Sequence, residues 1–275
     1  MTTEFKIFNV RHGFCAALMA DNHLTLIDCG HDNNYKHTPL EWLYFKGYRH
    51  IDSLIISNFD QDHISDIKTV RDKFTVGKLV VNPYINANQL RNIKINGGSI
   101  TEQMEIVLAN IDRPELKAFS ESEISTPEAQ FNFFSIIYPY ETDTNNLSLV
   151  SFIRFGHSKI IYPGDVEKRG WEKFLQNPEF MRHLGQVNTF IASHHGRENG
   201  YCKEIFDSCS PEVVIVSDQE RKYETQNHDL YSKHASGINF GTLLTPKVRK
   251  VLTTRNDGDL TVFNQNLGTF IKLGS

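Results

Sequence analysis

No two of the four cysteines, Cys15, Cys29, Cys202 and Cys209, stand in a C-x-x-C pair. That spacing excludes a zinc ribbon and a thioredoxin-like motif, and the thiols read as reduced, mostly buried side chains. Long apolar runs are missing too. The first ten residues are polar and then alternating, with no stretch fit for a signal peptide or a membrane span. The chain is therefore read as cytoplasmic, with no membrane partner. Positive charge is not in excess: 29 Lys and Arg against 33 Asp and Glu give a net charge of −4. Bulk charge thus offers no argument for gripping long nucleic acid, although a local basic groove is compatible with it. Low-complexity tracts and short repeats are also absent.

What is present is a series of short apolar runs with polar tips. Phe5, Ile7 and Asn9 alternate with Lys6, Phe8 and Val10. Ala16–Ala20 and Leu24–Ile27 follow across an Asp21-Asn22 turn, and a short helix is expected over Leu40–Phe45. Leu54–Ile56 and Leu79–Val81 are fully apolar, as central strands covered on both faces are. Between them, Ile64, Ile67, Val70 and Phe74 keep helical spacing. Residues 84–130 lack such strands and carry a loop-like Asn96-Gly97-Gly98. They read as an insertion with one amphipathic helix, whose apolar face holds Ile100, Met104, Val107, Leu108 and Ile111. The second half repeats the pattern: strands over Phe131–Tyr138, Leu149–Phe155 and Lys159–Tyr162, a helix over Glu167–Leu175, then strands over Thr189–Ala192 and Val213–Val216. Three further strands, Val251–Thr253, Leu260–Phe263 and Thr269–Lys272, close the chain. A single α/β domain over 1–275 is expected.

The polar residues fall where strands end. Asp28, Asn58, Asp165 and His194 each sit at or just past such an end, where a rigid scaffold meets variable loops. The densest piece is Asn58-Phe59-Asp60-Gln61-Asp62-His63. Two carboxylates and an imidazole so close together suit zinc, manganese or iron, and the same residues also suit a helix cap. Gly164-Asp165 reads as a turn or as a ligand. His194-His195-Gly196 offers one histidine for a metal and one to act on substrate. Asp28 is placed to orient a ligand histidine or simply to end a strand. His12, His228 and His234 are candidates for substrate contact or plain surface histidines.

The order of these pieces resembles the metallo-β-lactamase superfamily: Leu26-Ile27-Asp28-Cys29-Gly30, then D-x-D-H, Gly164-Asp165, and Ser193-His194-His195-Gly196. Within it, the sequence is most similar to the metallohydrolase domain of ComEC-type DNA-uptake proteins and their free-standing relatives. The carriers are Val10-Arg11-His12-Gly13-Phe14-Cys15, Asp60-x-Asp62-His63-Ile64, Asn146-Leu147-Ser148-Leu149-Val150, His194-His195-Gly196 with Asn199-Gly200, and Thr254-Arg255-Asn256-Asp257-Gly258 with Leu260-Thr261-Val262. The uptake proteins' membrane channel has no counterpart in this sequence, so DNA import is not implied. The sequence departs from the family at Asn58, where a histidine is usual, at Ser65 and Asp66, where glycines are usual, and at Asn146-Leu147-Ser148, where no histidine stands.

The resemblance implies an αββα sandwich of two mixed sheets flanked by helices. It implies one or two divalent ions, zinc or manganese, held by Asp60, Asp62, His63, Asp165 and His194. The subsite of Asn58 and Asp60 is expected to be the weaker. Asp60, Asp165, His195 and His228 are the implied catalytic residues; Asp28, Asn58 and Asn146 would support the ligands; His12 and Arg197 would touch substrate. Around the metal, Lys or Arg from 84–130, or Arg197, Arg221 and Lys222, would favour a phosphate, and an apolar funnel an acyl group. The implied activity is a phosphodiesterase or nuclease acting on a nucleotide or nucleic acid with metal-activated water. Hydrolysis of a carboxylic ester, thioester or lactone is the alternative on the same fold, and a catalytically impaired binding or regulatory member is the other.

Overall fold

The computed structural model describes residues 3–32, 38–118, 120–219, 226–241, 245–265 and 268–274. In chain order the first strands are β1 (Glu4–Ile7), β2 (Ala16–Ala20), β3 (His23–Ile27), β4 (His50–Ile55) and β5 (Thr75–Val80). Then come β6 (Gln130–Phe134), β7 (Val150–Phe155), β8 (Ser158–Tyr162), β9 (Thr189–Ile191) and β10 (Val213–Val216). The last are β11 (Ile238–Asn239), β12 (Val248–Arg249), β13 (Val251–Thr253), β14 (Leu260–Gln265) and β15 (Gly268–Leu273). The helices are α1 (Pro39–Phe45), α2 (Gln61–Ile64), α3 (Ile67–Lys73), α4 (Ala87–Gly97), α5 (Glu102–Asn110), α6 (Lys168–Phe174), α7 (Pro178–Leu184), α8 (His228–Ser232) and α9 (Thr254–Asp257).

One large sheet has the order β15-β14-β1-β2-β3-β4-β5 and the other β13-β10-β9-β8-β7-β6, while β11 and β12 pair as a separate ribbon. β3, β4 and β5 run parallel, as do β8, β9, β10 and β13, so the tips of these strands are the places where loops can be spared for chemistry. Strand alternation explains the layering. Ile27, Ile55, Ile153, Ile160, Ile191 and Ile215 point between the sheets. Their neighbours Leu26, Leu54 and Ile56 face the helices outside the first sheet, while Phe152, Ile161, Phe190 and Val214 face those outside the second. A one-residue slip in any strand would exchange the two faces, each worth about 1.5–3 kcal/mol per large side chain. The result is helix, sheet, sheet, helix.

Local chemistry sets the helix ends. α1 starts at a Thr38–Glu41 capping box with Pro39 in its first turn, and α7 starts at Asn177, whose side chain accepts from Glu179 and Phe180 N–H. Among its described residues the 84–130 segment holds two α-helices, where the sequence pattern predicts one. α5 buries Met104, Val107 and Leu108, as its spacing predicts. α4 buries only Leu90 and therefore has no apolar stripe to read. Its signal is the capping box of Asn86 with Gln89, and it runs through the supposed loop residues Asn96 and Gly97. The strand expected over Phe131–Tyr138 stops at Phe134, followed by turns and the cis Tyr138–Pro139 bond. No helix among the described residues is long and apolar enough to cross a membrane.

Candidate metal centre

The tips of the two large sheets meet through hydrogen bonds to backbone carbonyls. Leu149 N–H donates to Ser57 C=O at 2.8 Å, and Ser217 Oγ donates to Gly13 C=O at 2.8 Å. Asp62 and His63 lie on α2 just past β4, Asp165 just past β8, and His195 just past β9. One ligand atom from each of these four residues falls within 4.8 Å of the others. His63, Asp165 and His195 are buried and Asp62 is partly so.

The segment carrying Asp62 is clamped by glycine. A Cβ on Gly30 would stand 1.7 Å from the Asp62 carbonyl oxygen, and one on Gly13 2.0 Å from it. Phe14 N–H donates to that same carbonyl, so the first loop and the β3 tip both close on it. The β9 tip is placed differently. His194, His195 and Gly196 all have positive φ, at 48°, 55° and 75°. Left-handed non-glycine residues cost roughly 1–2 kcal/mol each, and such cost gathers at functional sites. Asp28 is left-handed as well, at 54°.

Second partners fix the rings. His63 Nδ1 donates to Asp28 Oδ2 at 2.7 Å. Asp28, fully buried, also accepts from Ser57 N–H at 2.7 Å, Ser57 Oγ at 2.6 Å and Tyr162 OH at 2.5 Å. His195 Nδ1 donates to Ser217 C=O at 3.2 Å. Both rings therefore turn Nε2 into the cluster. Nε2 of His63 is 3.1 Å from Asp165 Oδ2; Nε2 of His195 is 3.2 Å from Asp62 Oδ2 and 3.7 Å from Asp165 Oδ1. Neither Nε2 is aligned for a hydrogen bond, although both are buried. Two imidazole nitrogens and two carboxylates, oriented inward and left without hydrogen bonds at the nitrogens, are a donor set that fits a divalent cation.

Charge in the cluster is strongly coupled to place. Burial opposes a charge on His63, but Asp165, Asp28 and Asp62 together hold its pKa well above the ordinary value. Burial likewise works against the Asp165 carboxylate, yet His63 and His195 bring its pKa down to about 2. Asp62 is held well below the usual carboxylate range by His63, His195 and His12 against the same burial cost. Burial, with Arg197 and His195 adding to it, pulls His194 down to about 4, so its ring is neutral.

Of the two histidines after β9, the cluster contains His195 and not His194, the ligand that the resemblance implies. His194 lies outside it: its Nε2 accepts from Arg197 Nη1 at 2.8 Å and its Nδ1 is 3.4 Å from Glu167 Oε1. Asp60, also expected as a ligand, is outside too and is ion-paired with Lys94. Asn58 is fully buried and shapes the turn, accepting from Asp60 N–H at 3.0 Å and donating to Asn145 Oδ1 at 3.2 Å. Asn146 accepts from Glu167 and Gly170 N–H at 3.0 Å each and so holds the start of α6. His12 Nε2 reaches Asp62 Oδ2 at 3.2 Å. His228 Nε2 stands 3.0 Å from Asp218 Oδ2, beside Gly196, and is not in the cluster. His234 is remote, stacked on Phe206 and paired with Tyr201 OH. Arg221 and Lys222 lie outside the described residues.

Four further residues, outside the set that the sequence implies, serve the site: Ser57, Tyr162 and Ser217 hold the ligands or their partners, and Ser148 Oγ accepts from Asp165 N–H at 3.1 Å. Ser57 and Ser217 at least carried a signal, each standing directly after an apolar strand like the ligands themselves.

No family model matches the chain. It is 24% identical over 236 residues to ComE operon protein 3 of Bacillus subtilis, covering 84% of this chain and 27% of that protein. Among solved structures, it is similar to Igni18, a metallo hydrolase of the archaeon Ignicoccus hospitalis. That match has 15% identity and a TM-score of 0.50, and covers 94% of this chain and 98% of the other. It is also similar to the metallo-β-lactamase fold protein YhfI of Bacillus subtilis, at 12% identity and a TM-score of 0.50, over 98% of this chain and all of that one. The chain thus has the metallo-β-lactamase fold, with distant homology to ComE operon protein 3 and a candidate His/Asp metal site at the meeting of its two sheets.

Proposed function

We propose that this chain is a metal-dependent hydrolase that cleaves a phosphodiester, in a nucleotide or a nucleic acid. The observation that carries the reading is the inward-facing set of Asp62, His63, Asp165 and His195, with both imidazoles oriented by fixed partners. A divalent cation held there, manganese or zinc, would supply Lewis acidity and lower the pKa of a coordinated water.

The chain's own residues do the rest. Asp62 and Asp165 supply negative charge and His63 and His195 neutral nitrogen, a mixture suited to hard or borderline ions. Asp28 holds the His63 ring through Nδ1, and Ser217 holds that of His195. His12, 3.2 Å from Asp62, and His228, 3.0 Å from the buried Asp218, would hand a proton or a hydrogen bond to a substrate oxygen. The choice of a phosphodiester over an acyl group is supported by cations and polar walls. A groove of about 400 Å³ is lined by Asp60, Ile93, Lys94, Ser99, Thr142, Asp143 and Thr144, mostly polar side chains, and Arg197 stands at His194. An apolar funnel would have suited a thioester or lactone.

The test is metal analysis together with hydrolysis of bis-p-nitrophenyl phosphate under added manganese or zinc, in wild type, Asp62→Ala and His195→Ala. Bound metal and activity in wild type, both lost in the two variants, supports the reading. Bound metal with turnover only of thioesters or lactones would replace the substrate class. A wild-type chain that retains no ion under any condition sinks the metal site.

A further inference from the structure

Asp60 is the one carboxylate of the D-x-D-H run that does not face the cluster, and the reason lies in the inserted segment. α4 ends in Lys94-Ile95-Asn96-Gly97, and the Lys94 ammonium is ion-paired with Asp60 Oδ1. Its side chain is only 17% exposed, so this pair is partly desolvated and is not a loose surface contact. Thr144 Oγ1 donates to the same carboxylate oxygen at 3.4 Å. Asn58 Oδ1 is committed to Asp60 N–H and its amide to Asn145. Around Asp60, then, the described groups are an ammonium, a hydroxyl and amides, with no imidazole or thiolate among them. Asp60 is nevertheless tied to the cluster, since its backbone carbonyl accepts from His63 N–H at 3.0 Å.

We propose that the Lys94 ammonium takes the place of a second metal ion beside Asp62, His63, Asp165 and His195, so that the chain holds one ion only. The inference rests on the metal-site reading above. Charge bookkeeping supports it. The strand tips gather the carboxylates of Asp28, Asp60, Asp62 and Asp165. One divalent ion answers the cluster, and the ammonium answers Asp60. A second divalent ion at Asp60 would meet the ammonium at close range in a partly desolvated place, where like charges repel strongly. It would also find Asn58, a weak ligand for a transition metal, as its neighbour.

Native mass spectrometry and calorimetric titration with manganese and with zinc, on the metal-stripped full chain, test this. Wild type is expected to saturate at one ion. Lys94→Met keeps the aliphatic stem and removes the charge, and is expected to take up a second, weaker ion. Lys94→Met/Asp60→Asn is expected to return to one. Two ions bound by wild type, or a single ion bound by Lys94→Met with circular dichroism unchanged, overturns the proposal while leaving the metal site standing. No ion bound by wild type would instead remove the metal site itself, and the proposal with it.

Discussion

His63 Nδ1 and Asp28 Oδ2 lie 2.7 Å apart, both fully buried, and link the β3 tip to the α2 ligand pair. The carboxylate is itself held by Ser57 N–H, Ser57 Oγ and Tyr162 OH, which all donate to it, so the ring has one orientation. Asp28→Asn should retain the fold, because the amide can still accept from Ser57. It should weaken metal binding by about 10–100-fold, the usual cost of losing such a partner. Calorimetric titration of the variant checks this, and unchanged affinity would show that Asp28 does not set the ring.

Metal binding should strengthen as pH rises. In the metal-free chain the neighbouring carboxylates hold the His63 pKa above 6.5, so the ring keeps a proton that a cation must displace. Titrations in buffers of different ionisation enthalpy should reveal proton release on binding, shrinking as pH passes the raised pKa. An affinity indifferent to pH would contradict it.

Stability without metal should fall on both sides of neutrality. His63 has a folded pKa above its unfolded value, so its contribution is complete below 6.5 and is lost as pH rises through the raised value. Asp165 has a folded pKa of about 2 against 3.8, so its contribution is present above 3.8 and is lost as pH falls toward 2. Thermal melts of chelator-treated protein across pH should show both losses. With metal added, the alkaline loss should disappear.

The two adjacent histidines should separate cleanly. His195→Ala removes a cluster nitrogen and should abolish retained metal, whereas His194→Ala should leave the ion bound, since that ring faces Arg197 and Glu167. Metal content after gel filtration decides between them. Retention by His195→Ala with loss by His194→Ala would reverse the assignment.

Gly30→Ala tests the clamp on Asp62. Its Cβ would overlap the Asp62 carbonyl, and backbone has to move. A destabilisation of about 1–3 kcal/mol is expected from such overpacking. A lower melting temperature together with weaker metal binding would tie the β3 tip to the site.

Much of this was legible in the chain because burial and chemistry here share a period. The runs at Leu54–Ile56, Lys159–Tyr162 and Thr189–Ala192 become central strands, and polar residues soon after them become the site. Which member of His194-His195 turns inward was not legible. That depends on three consecutive left-handed residues, which a glycine after two histidines permits but does not dictate. Lys94 was hidden for another reason: α4 buries a single side chain, so periodicity is silent and only the Asn86–Gln89 cap marks it. Asn146 was expected to support the ligands because it stands in the right motif, yet its amide oxygen is spent on the start of α6.

The cluster draws Asp62 and His63 from one sheet and Asp165 and His195 from the other. An ion bound there would act as a rivet across the seam of the sandwich. Any motion that parts the sheets would dismantle the coordination sphere, so the native docking of the two halves is stabilised by mass action, by roughly 2.7 kcal/mol when free metal is a hundredfold above its dissociation constant. Amide protons along β3, β4, β8 and β9 would then exchange more slowly in loaded protein than in stripped protein. The availability of metal would govern how firmly the halves of this chain stay closed, before any substrate arrives.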